Sequence, residues 1–232
     1  IDIIQNGLVD ENGFATGAAF YVGQGGQGEL TLSQGADMLI QGDSARLSVA
    51  RGRDGLGAAE ASELEILSGS SILVDAQNYG SNIPFFDNYG NFLYNRNGGG
   101  RIDVANGQNT SGSILVDGTG SSLVVRTDAV QPNGDYSTAD FTVGSFGTGR
   151  LTVSNGGYVG ARELSLAQGY FNNGVQGYAG RGYLSVESGG TITLTAPNNP
   201  ALPSDPDNLP NAYRGLRMAT ADNAGGIRPP GQ

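Results

Sequence analysis

The chain has 232 residues and a formal net charge of −10, with 12 arginines and no lysine, histidine or cysteine. This acidic balance argues against nucleic acids and anionic membrane surfaces as partners. The missing cysteine and histidine exclude disulfides and thiol chemistry, and they nearly exclude zinc and transition-metal sites of the common types.

Short strands separated by tight turns dominate the pattern through residue 196. Apolar and polar residues alternate as they do in half-buried strands, and helical periodicity is absent. Glycine accounts for 40 residues without a Gly-X-Y period, which excludes a collagen-like chain. The glycines close the apolar runs, where a turn needs a positive φ or has no room for a side chain.

The same segments recur in the same order along the chain. Three pairs match: Phe20–Gly35 with Phe141–Gly156, Ala45–Gly52 with Leu164–Gly169, and Leu64–Val74 with Leu184–Leu194. A duplication of about residues 14–74 as about 136–194 is therefore predicted. A shorter unit, Leu-x-Val/Leu/Ile followed by two residues and glycine, recurs at Leu30, Leu64, Ile102, Leu151 and Leu184.

These repeats predict an all-β fold, a right-handed parallel β-helix (β-solenoid) over residues 1–196. A β-sandwich is the alternative, because it also has short alternating strands and frequent turns. The solenoid is favoured because equivalent strands stack at ~4.8 Å and present matching side chains to one core. With about 25 residues per coil, residues 14–196 are expected to span on the order of 35 Å.

The repeat resembles that of a known family. The run from Val143 to Gly157 is similar to the Gly-rich strand repeat of bacterial autotransporter passengers and related large secreted surface proteins, and Val116 to Val125 is similar to its companion segment. The resemblance covers about residues 14–196. It implies a right-handed parallel β-helix, export from a Gram-negative-type cell, and adhesion or matrix roles. The copy near Glu60 departs from the pattern because it lacks the Gly-x-Gly lead-in.

An aromatic and Asn-rich insertion at residues 75–99 interrupts the repeat. Its six aromatic residues are Tyr79, Phe85, Phe86, Tyr89, Phe92 and Tyr94. Rings and amides on a loop of a rigid scaffold predict a contact surface for a sugar or protein partner. The alternative is that the loop folds back and covers a hydrophobic edge of the helix.

A second interruption, the tail at residues 197–232, contains seven of the nine prolines. It is predicted to be either an extended linker or a strap that caps the solenoid or docks on a neighbouring copy. Gly225, Gly226 and Ile227 are a possible start of a further strand. The chain begins at Ile1 without a signal peptide, and we expect it to be a piece of a longer protein.

The residues that catalysis would need are absent or scattered in the sequence. The carboxylates are dispersed, no arginine sits within an acidic cluster, and a serine nucleophile would lack its usual histidine base. Glu63 and Glu65 lie two apart and are expected on one solvated strand face. No enzymatic activity and no catalytic residue are predicted.

Calcium is the one cofactor left open, because hard oxygen ligands are common in Asp- and Asn-rich turns. Asp117 and Asp135 flank turns, although solvent exposure accounts for both. The calcium-binding nonapeptide of β-rolls is absent, since Gly25–Leu30 lacks its acidic residue. We therefore expect no cofactor, and the metal ligands, if any, are unknown.

The sequence thus predicts a non-catalytic structural or adhesive protein, such as a stalk or a matrix or fibre element. The expected location is extracellular or on the outer surface of a Gram-negative-type bacterium. Expected partners are other copies of the chain or surface and matrix glycans, with no nucleic acid and no membrane insertion. The alternative is a carbohydrate-binding or carbohydrate-cleaving β-helix that uses the aromatic insertion.

Overall fold

The computed structural model describes thirteen parts of the chain: residues 1–5, 17–42, 44–52, 61–76, 83–86, 92–96, 99–107, 109–127, 139–167, 169–171, 180–195, 216–218 and 221–223. Within these ranges all regular structure is β-strand, and three parallel sheets contain most of it. The predicted parallel β-helix is confirmed. The sandwich alternative is wrong, because the strands of these three sheets pair in parallel and a sandwich is built of antiparallel strands.

Each coil of the chain visits the three sheets in turn. Sheet one contains Asp2–Gln5 (β1), Asp37–Gly42 (β4), Ser71–Ala76 (β7), Ser122–Thr127 (β12), Tyr158–Ala161 (β15) and Thr191–Leu194 (β19). Sheet two contains Ala18–Gln24 (β2), Ala45–Arg51 (β5), Gly100–Asn106 (β10), Ala139–Val143 (β13), Glu163–Leu166 (β16) and Leu216–Met218 (β20). Sheet three contains Glu29–Leu32 (β3), Ala61–Leu67 (β6), Ser111–Asp117 (β11), Thr148–Ser154 (β14) and Arg181–Val186 (β18).

Two small sheets lie beside these three. Ile83–Phe86 (β8) and Phe92–Arg96 (β9) form an antiparallel hairpin, and Gly169–Phe171 (β17) pairs in parallel with Ala221–Asn223 (β21). The hairpin falls inside the predicted insertion. Of the tail at 197–232, Leu216–Met218 adds a sixth strand to sheet two, beyond the boundary expected at residue 196. Gly225, Gly226 and Ile227 lie outside the described residues.

The core consists of columns of apolar side chains that run from coil to coil. In sheet two, Leu47, Ile102, Phe141 and Leu164 occupy successive positions of one column and are fully or almost fully buried. Equivalent columns follow Leu64, Ile114 and Leu151 in sheet three, and Ile72, Leu123 and Val159 in sheet one. Full burial of one such side chain contributes about 1.5–3 kcal/mol. Each coil therefore depends on its neighbours for its core.

The corner between sheets three and one explains the glycine that follows each Leu-x-Val unit. Residue pairs Gln34-Gly35, Ser68-Gly69, Asn155-Gly156 and Ser188-Gly189 all have positive φ, between 48° and 83°. Each pair forms the centre of a tight turn closed by a backbone hydrogen bond, such as Gly157 N to Ser154 O at 2.8 Å. Two consecutive positive φ angles define a type I′ turn, in which glycine is strongly preferred.

The corner between sheets two and three explains the Gly-x-Gly lead-in. A Cβ on Gly149 would lie 2.4 Å from Gly144 N, and one on Gly28 would lie 2.2 Å from Gly23 N. In the coil that lacks this lead-in, Ser62 takes the position of Gly149, and its Oγ accepts a 3.2 Å hydrogen bond from Gly28 N. The repeat near Glu60, which lacks the Gly-x-Gly lead-in, therefore has a serine that fits into the same narrow corner.

The strand register shows where the sequence repeats lie. Phe20 and Phe141 share one column of sheet two, three coils apart. The assignment of Ile102 to the same unit as Leu64 is wrong, because Ile102 lies in sheet two and Leu64 pairs with Ile114 in sheet three.

The number of residues per coil varies along the chain. Glu29 pairs with Glu63 34 positions later, and Glu63 pairs with Ser113 50 positions later. The expected constant 25 residues per coil is therefore also wrong, since the corner loops differ in length.

Candidate functional site at the insertion corner

The insertion leaves and re-enters the solenoid at the corner between sheets one and two. β7 of sheet one ends at Ala76, and β10 of sheet two begins at Gly100. One coil earlier, Gly42 and Ala45 occupy the same two positions, so two residues suffice to turn this corner. A Cβ on Gly100 would lie 2.8 Å from Arg126 O, which requires glycine where the chain returns.

The hairpin brings four of the six predicted aromatic residues into one two-stranded ribbon. Phe85 pairs with Tyr94 and Phe86 with Phe92, with a shift of register between Phe85 and Phe86. Tyr79 and Tyr89 lie outside the described residues. The prediction that these six residues contact a ligand or partner remains a prediction.

An ion pair that the sequence did not reveal lies at the base of the insertion. The fully buried Asp75 is the last residue but one of β7, next to Ala76, and it accepts two hydrogen bonds from Arg126, at 2.9 Å from Nε and 3.1 Å from Nη2. Gln41 donates a third bond of 3.1 Å to the same carboxylate. These three residues occupy one register position in three successive coils. The guanidinium fork matches the carboxylate geometry, which makes this pair stronger than a single contact.

A second buried carboxylate, Asp103, lies on sheet two just after the insertion returns. Arg46 Nη2 is 2.7 Å from its Oδ2, and Arg101 Nε is 2.5 Å from its Oδ1. The Arg46 contact is an ion pair whose angle is poor for a hydrogen bond. Burial lowers the pKa of Arg46, and the charge of Asp103 opposes that effect.

One column of outward-facing residues on sheet two is buried. Ser48, Asp103, Thr142 and Ser165 form one outward column, and each is at most 4% exposed. Alternation would place such polar residues in solvent. The adjacent outward column of Arg46, Arg101, Asp140 and Glu163 is only partly buried, so the burial is confined to the column of Asp103.

At this corner two arginines, Arg46 and Arg101, flank the single carboxylate of Asp103, which is not an acidic cluster and does not contradict the expectation from the sequence. Arg46, Arg101 and Asp103 meet because parallel pairing brings residues 55 positions apart into register. The expectation for Glu63 and Glu65 is confirmed, since both lie on the outer face of β6. Thr31 donates a hydrogen bond to Glu65, and Ser113 donates one to Glu63.

The arrangement favours a structural rather than a catalytic role for these carboxylates. The oxygens of Asp75 and Asp103 are occupied by guanidinium groups, so neither is placed to exchange a proton with a substrate.

Across the described parts of the chain, no three metal-binding side chains of His, Cys, Asp or Glu come together. Asp117 accepts hydrogen bonds from Ser154 at 2.6 Å and Asn155 at 2.7 Å, which ties it to a turn of the next coil. Asp135 lies outside the described residues.

Two exposed aromatic residues on the regular coils, Tyr158 and Tyr183, were not among the contact residues predicted from the sequence. Tyr183 is 45% exposed and lies under the guanidinium group of Arg150, whose Cζ is 4.5 Å from the ring centre. The partly exposed Tyr158 packs its ring against Gly160, two residues later on the same strand. These rings follow the outward positions of strands, a pattern that alternation predicts once the inward positions are known.

A scan against protein-family models and searches of the curated proteins and of the solved structures each find no match to this chain. The similarity to autotransporter passengers therefore remains a prediction from the residues quoted above. Among the described residues, no helix has the length and apolar character needed to span a bilayer.

Proposed function

We propose that this chain is a non-catalytic structural or adhesive element of a secreted or cell-surface protein. The observation that carries the proposal is the unbroken set of apolar columns, which extend through three parallel sheets of five or six strands. Such a stack is stiff along its axis because each coil is hydrogen-bonded and packed to the next. A stiff rod suits a stalk, an extracellular matrix or a fibre element, and it needs no cofactor.

The insertion hairpin is the proposed contact element of this rod. It leaves the coils at one corner, and its base is anchored by the ion pairs of Asp75 and Asp103. A loop on a rigid base loses little conformational freedom when it binds. The proposed partners are surface or matrix glycans, or other copies of the chain.

Cell fractionation tests the proposed location. The parent protein should appear in the extracellular medium or on the outer surface of a Gram-negative-type bacterium, where added protease degrades it on intact cells. Recovery only in the cytoplasmic fraction, protected from protease, would contradict the proposal.

Carbohydrate binding is the second candidate, favoured by the paired aromatic residues of the hairpin. Binding of the chain to a glycan array should disappear when Phe85, Tyr89 and Phe92 are replaced together by Ala. Replacement of Tyr158 by Ala, on a regular coil, is the matched control and should retain binding. Release of oligosaccharides from an acidic polysaccharide would instead show a carbohydrate-cleaving enzyme and would refute the non-catalytic role.

A further inference from the structure

The outer face of sheet three separates its negative and positive charges along the stack of coils. One outward column crosses all five strands of this sheet, in the order Glu29, Glu63, Ser113, Arg150 and Tyr183. Its charged residues, Glu29, Glu63 and Arg150, are all exposed. The face is therefore acidic on β3 and β6 and basic on β14.

Glu63 and Arg150 carry the contrast on inner strands of the sheet. β6 and β14 each pair with a described strand on both sides, so the outward direction of these two side chains is fixed within the stack. Two strand spacings of ~4.8 Å separate them. Glu63 accepts a 3.4 Å hydrogen bond from Ser113, and Arg150 lies over the ring of Tyr183. Among the described residues, neither side chain forms an ion pair.

A face with this charge pattern is complementary to itself. A two-fold axis that runs parallel to the strands and passes over β11, the middle strand, reverses the order of the coils in a second copy. Glu63 of each copy then lies opposite Arg150 of the other, so the attraction occurs twice. Ser113 and the partly exposed Leu115, both outward residues of β11, lie at the axis and form the centre of the contact.

Charge disfavours the other face-to-face orientation. If the two-fold axis instead runs along the stack, over the middle of the face, the coils keep their order and β6 of one copy meets β6 of the other. Glu63 then lies near Glu65 of the second copy, and the like charges repel. Asp117, a carboxylate at the turn end of β11, lies at the rim of the face, where hydrogen bonds from Ser154 and Asn155 stabilise its charge.

The size of the face sets the strength of such a contact. Five strands at ~4.8 Å and up to seven residues at ~3.3 Å give a face on the order of 500 Å². A standard stable interface buries about 800 Å² per partner. The expected complex is therefore weak, and its charged pairs should make it sensitive to salt.

We propose that two copies of this chain associate through the outer faces of sheet three, with the coils in opposite order and Glu63 of each copy opposite Arg150 of the other. This inference rests on the proposed structural role, in which other copies of the chain are partners, and it names the surface and the orientation. The same surface of both copies is used, so the contact is isologous and closes as a dimer.

Sedimentation velocity of the 232-residue chain, at up to about 1 mM and in about 0.01 M salt, tests the contact. The wild type should show a concentration-dependent equilibrium between monomer and dimer. The dimer should weaken several-fold in about 1 M salt, where the screening length falls from about 30 Å to about 3 Å. A wild type that stays monomeric, or a dimer that salt does not affect, would overturn the proposal.

Single charge reversals test the two residues. Glu63→Arg and Arg150→Glu should each weaken the dimer by about tenfold, because each places like charges opposite one another twice. Both side chains are exposed, so the variants should fold, which circular dichroism checks. The matched control is Thr191→Arg, at an exposed position of sheet one, which should dimerise like the wild type. An equal loss in this control would place the contact elsewhere and refute the proposed surface.

Exchange of the two charges tests the orientation. The double variant Glu63→Arg/Arg150→Glu should dimerise like the wild type, and an equimolar mixture of the two single variants should form a heterodimer. No recovery in either sample would overturn the pairing. In the other orientation Glu63→Arg would face Glu65 and strengthen the dimer, which would also overturn it. The assay measures association in solution rather than secretion or glycan binding, so this inference and the proposed function can fail independently.

Discussion

At the scale of single residues, the strongest constraints lie where coils approach most closely. Gly144 and Gly35 have almost the same φ, 76° and 74°, but very different surroundings. A Cβ on Gly144 would lie 2.2 Å from Arg181 O, whereas a Cβ on Gly35 would meet nothing within 4 Å. Substitution of these two glycines therefore distinguishes the cost of a positive φ, which both share, from the cost of a steric clash, which only Gly144 has.

Replacement of these two glycines by alanine should have unequal effects. Gly35→Ala should lower the free energy of unfolding by about 1–2 kcal/mol, the cost of an L-residue in the left-handed region. Gly144→Ala should lower it further, because the carbonyl of Arg181 must also move. Urea unfolding followed by circular dichroism measures both, and equal losses would contradict the close approach of the two coils.

The buried ion pair at Asp103 makes a second residue-scale prediction. Asp103→Asn leaves two guanidinium groups without their buried counter-charge and should cost about 3–5 kcal/mol of stability. The matched control is Ser48→Ala, the register partner of Asp103 in the preceding coil, whose buried Oγ has no hydrogen-bond partner. Removal of that hydroxyl should be neutral or slightly stabilising. A larger loss for Ser48→Ala than for Asp103→Asn would show that the ion pair contributes little.

At the scale of elements, the insertion has two alternative roles: it is either a projecting contact element or a loop that covers a hydrophobic edge of the helix. Residues 77–99 stand where the preceding coil has only residues 43 and 44, and the flanking strands keep their register. A projecting contact element can be removed without harm to the coils, but a loop that covers a hydrophobic edge of the helix cannot. Stability after shortening therefore distinguishes the two.

Replacement of residues 77–99 by the sequence Asp43-Ser44 should leave the midpoint of urea unfolding nearly unchanged and abolish the proposed glycan binding. The physical reason is that this two-residue connection already joins the same two sheets one coil earlier. A large loss of stability would show instead that the insertion covers a hydrophobic edge of the helix. Shortening of the loop to the length found one coil earlier also preserves the strands on both sides, which keeps the comparison interpretable.

At the scale of the whole molecule, stability should vary along the axis. Central coils have a neighbour on both sides, and their column residues are fully buried, whereas Val186, Leu216 and Met218 at the C-terminal end are exposed. In a one-dimensional stack, the terminal coils lose one of their two interfaces and unfold more readily. Local opening of the 232-residue chain is therefore expected to begin at this end.

Hydrogen exchange measured by mass spectrometry should show this gradient. Amides of β10–β14 should exchange slowly and those of β18–β20 quickly. Uniform exchange along the chain would contradict this gradient of stability from the central coils to the end strands.

Much of the fold was predictable because the strands and turns of successive coils repeat along the sequence. The recurring Leu-x-Val units and the glycine after each one reflect an inward column and a type I′ turn, both local features of the chain. The insertion was also recognisable, since a break in the repeat requires no tertiary information. The hairpin inside it was not predicted, because its strands are only four and five residues long and β8 contains Pro84, a residue that is unfavourable in strands.

The sequence by itself determined the architecture: an acidic, cysteine-free chain whose repeated strands can bury their apolar faces only by stacking in parallel. The tertiary structure alone decided which residues meet. Ile102 joined the column of Leu47, and Asp103 met Arg46, because corner loops of unequal length set the register between coils. The lengths of the corner loops do not repeat along the sequence, so the sequence alone does not show which residues of neighbouring coils are in contact.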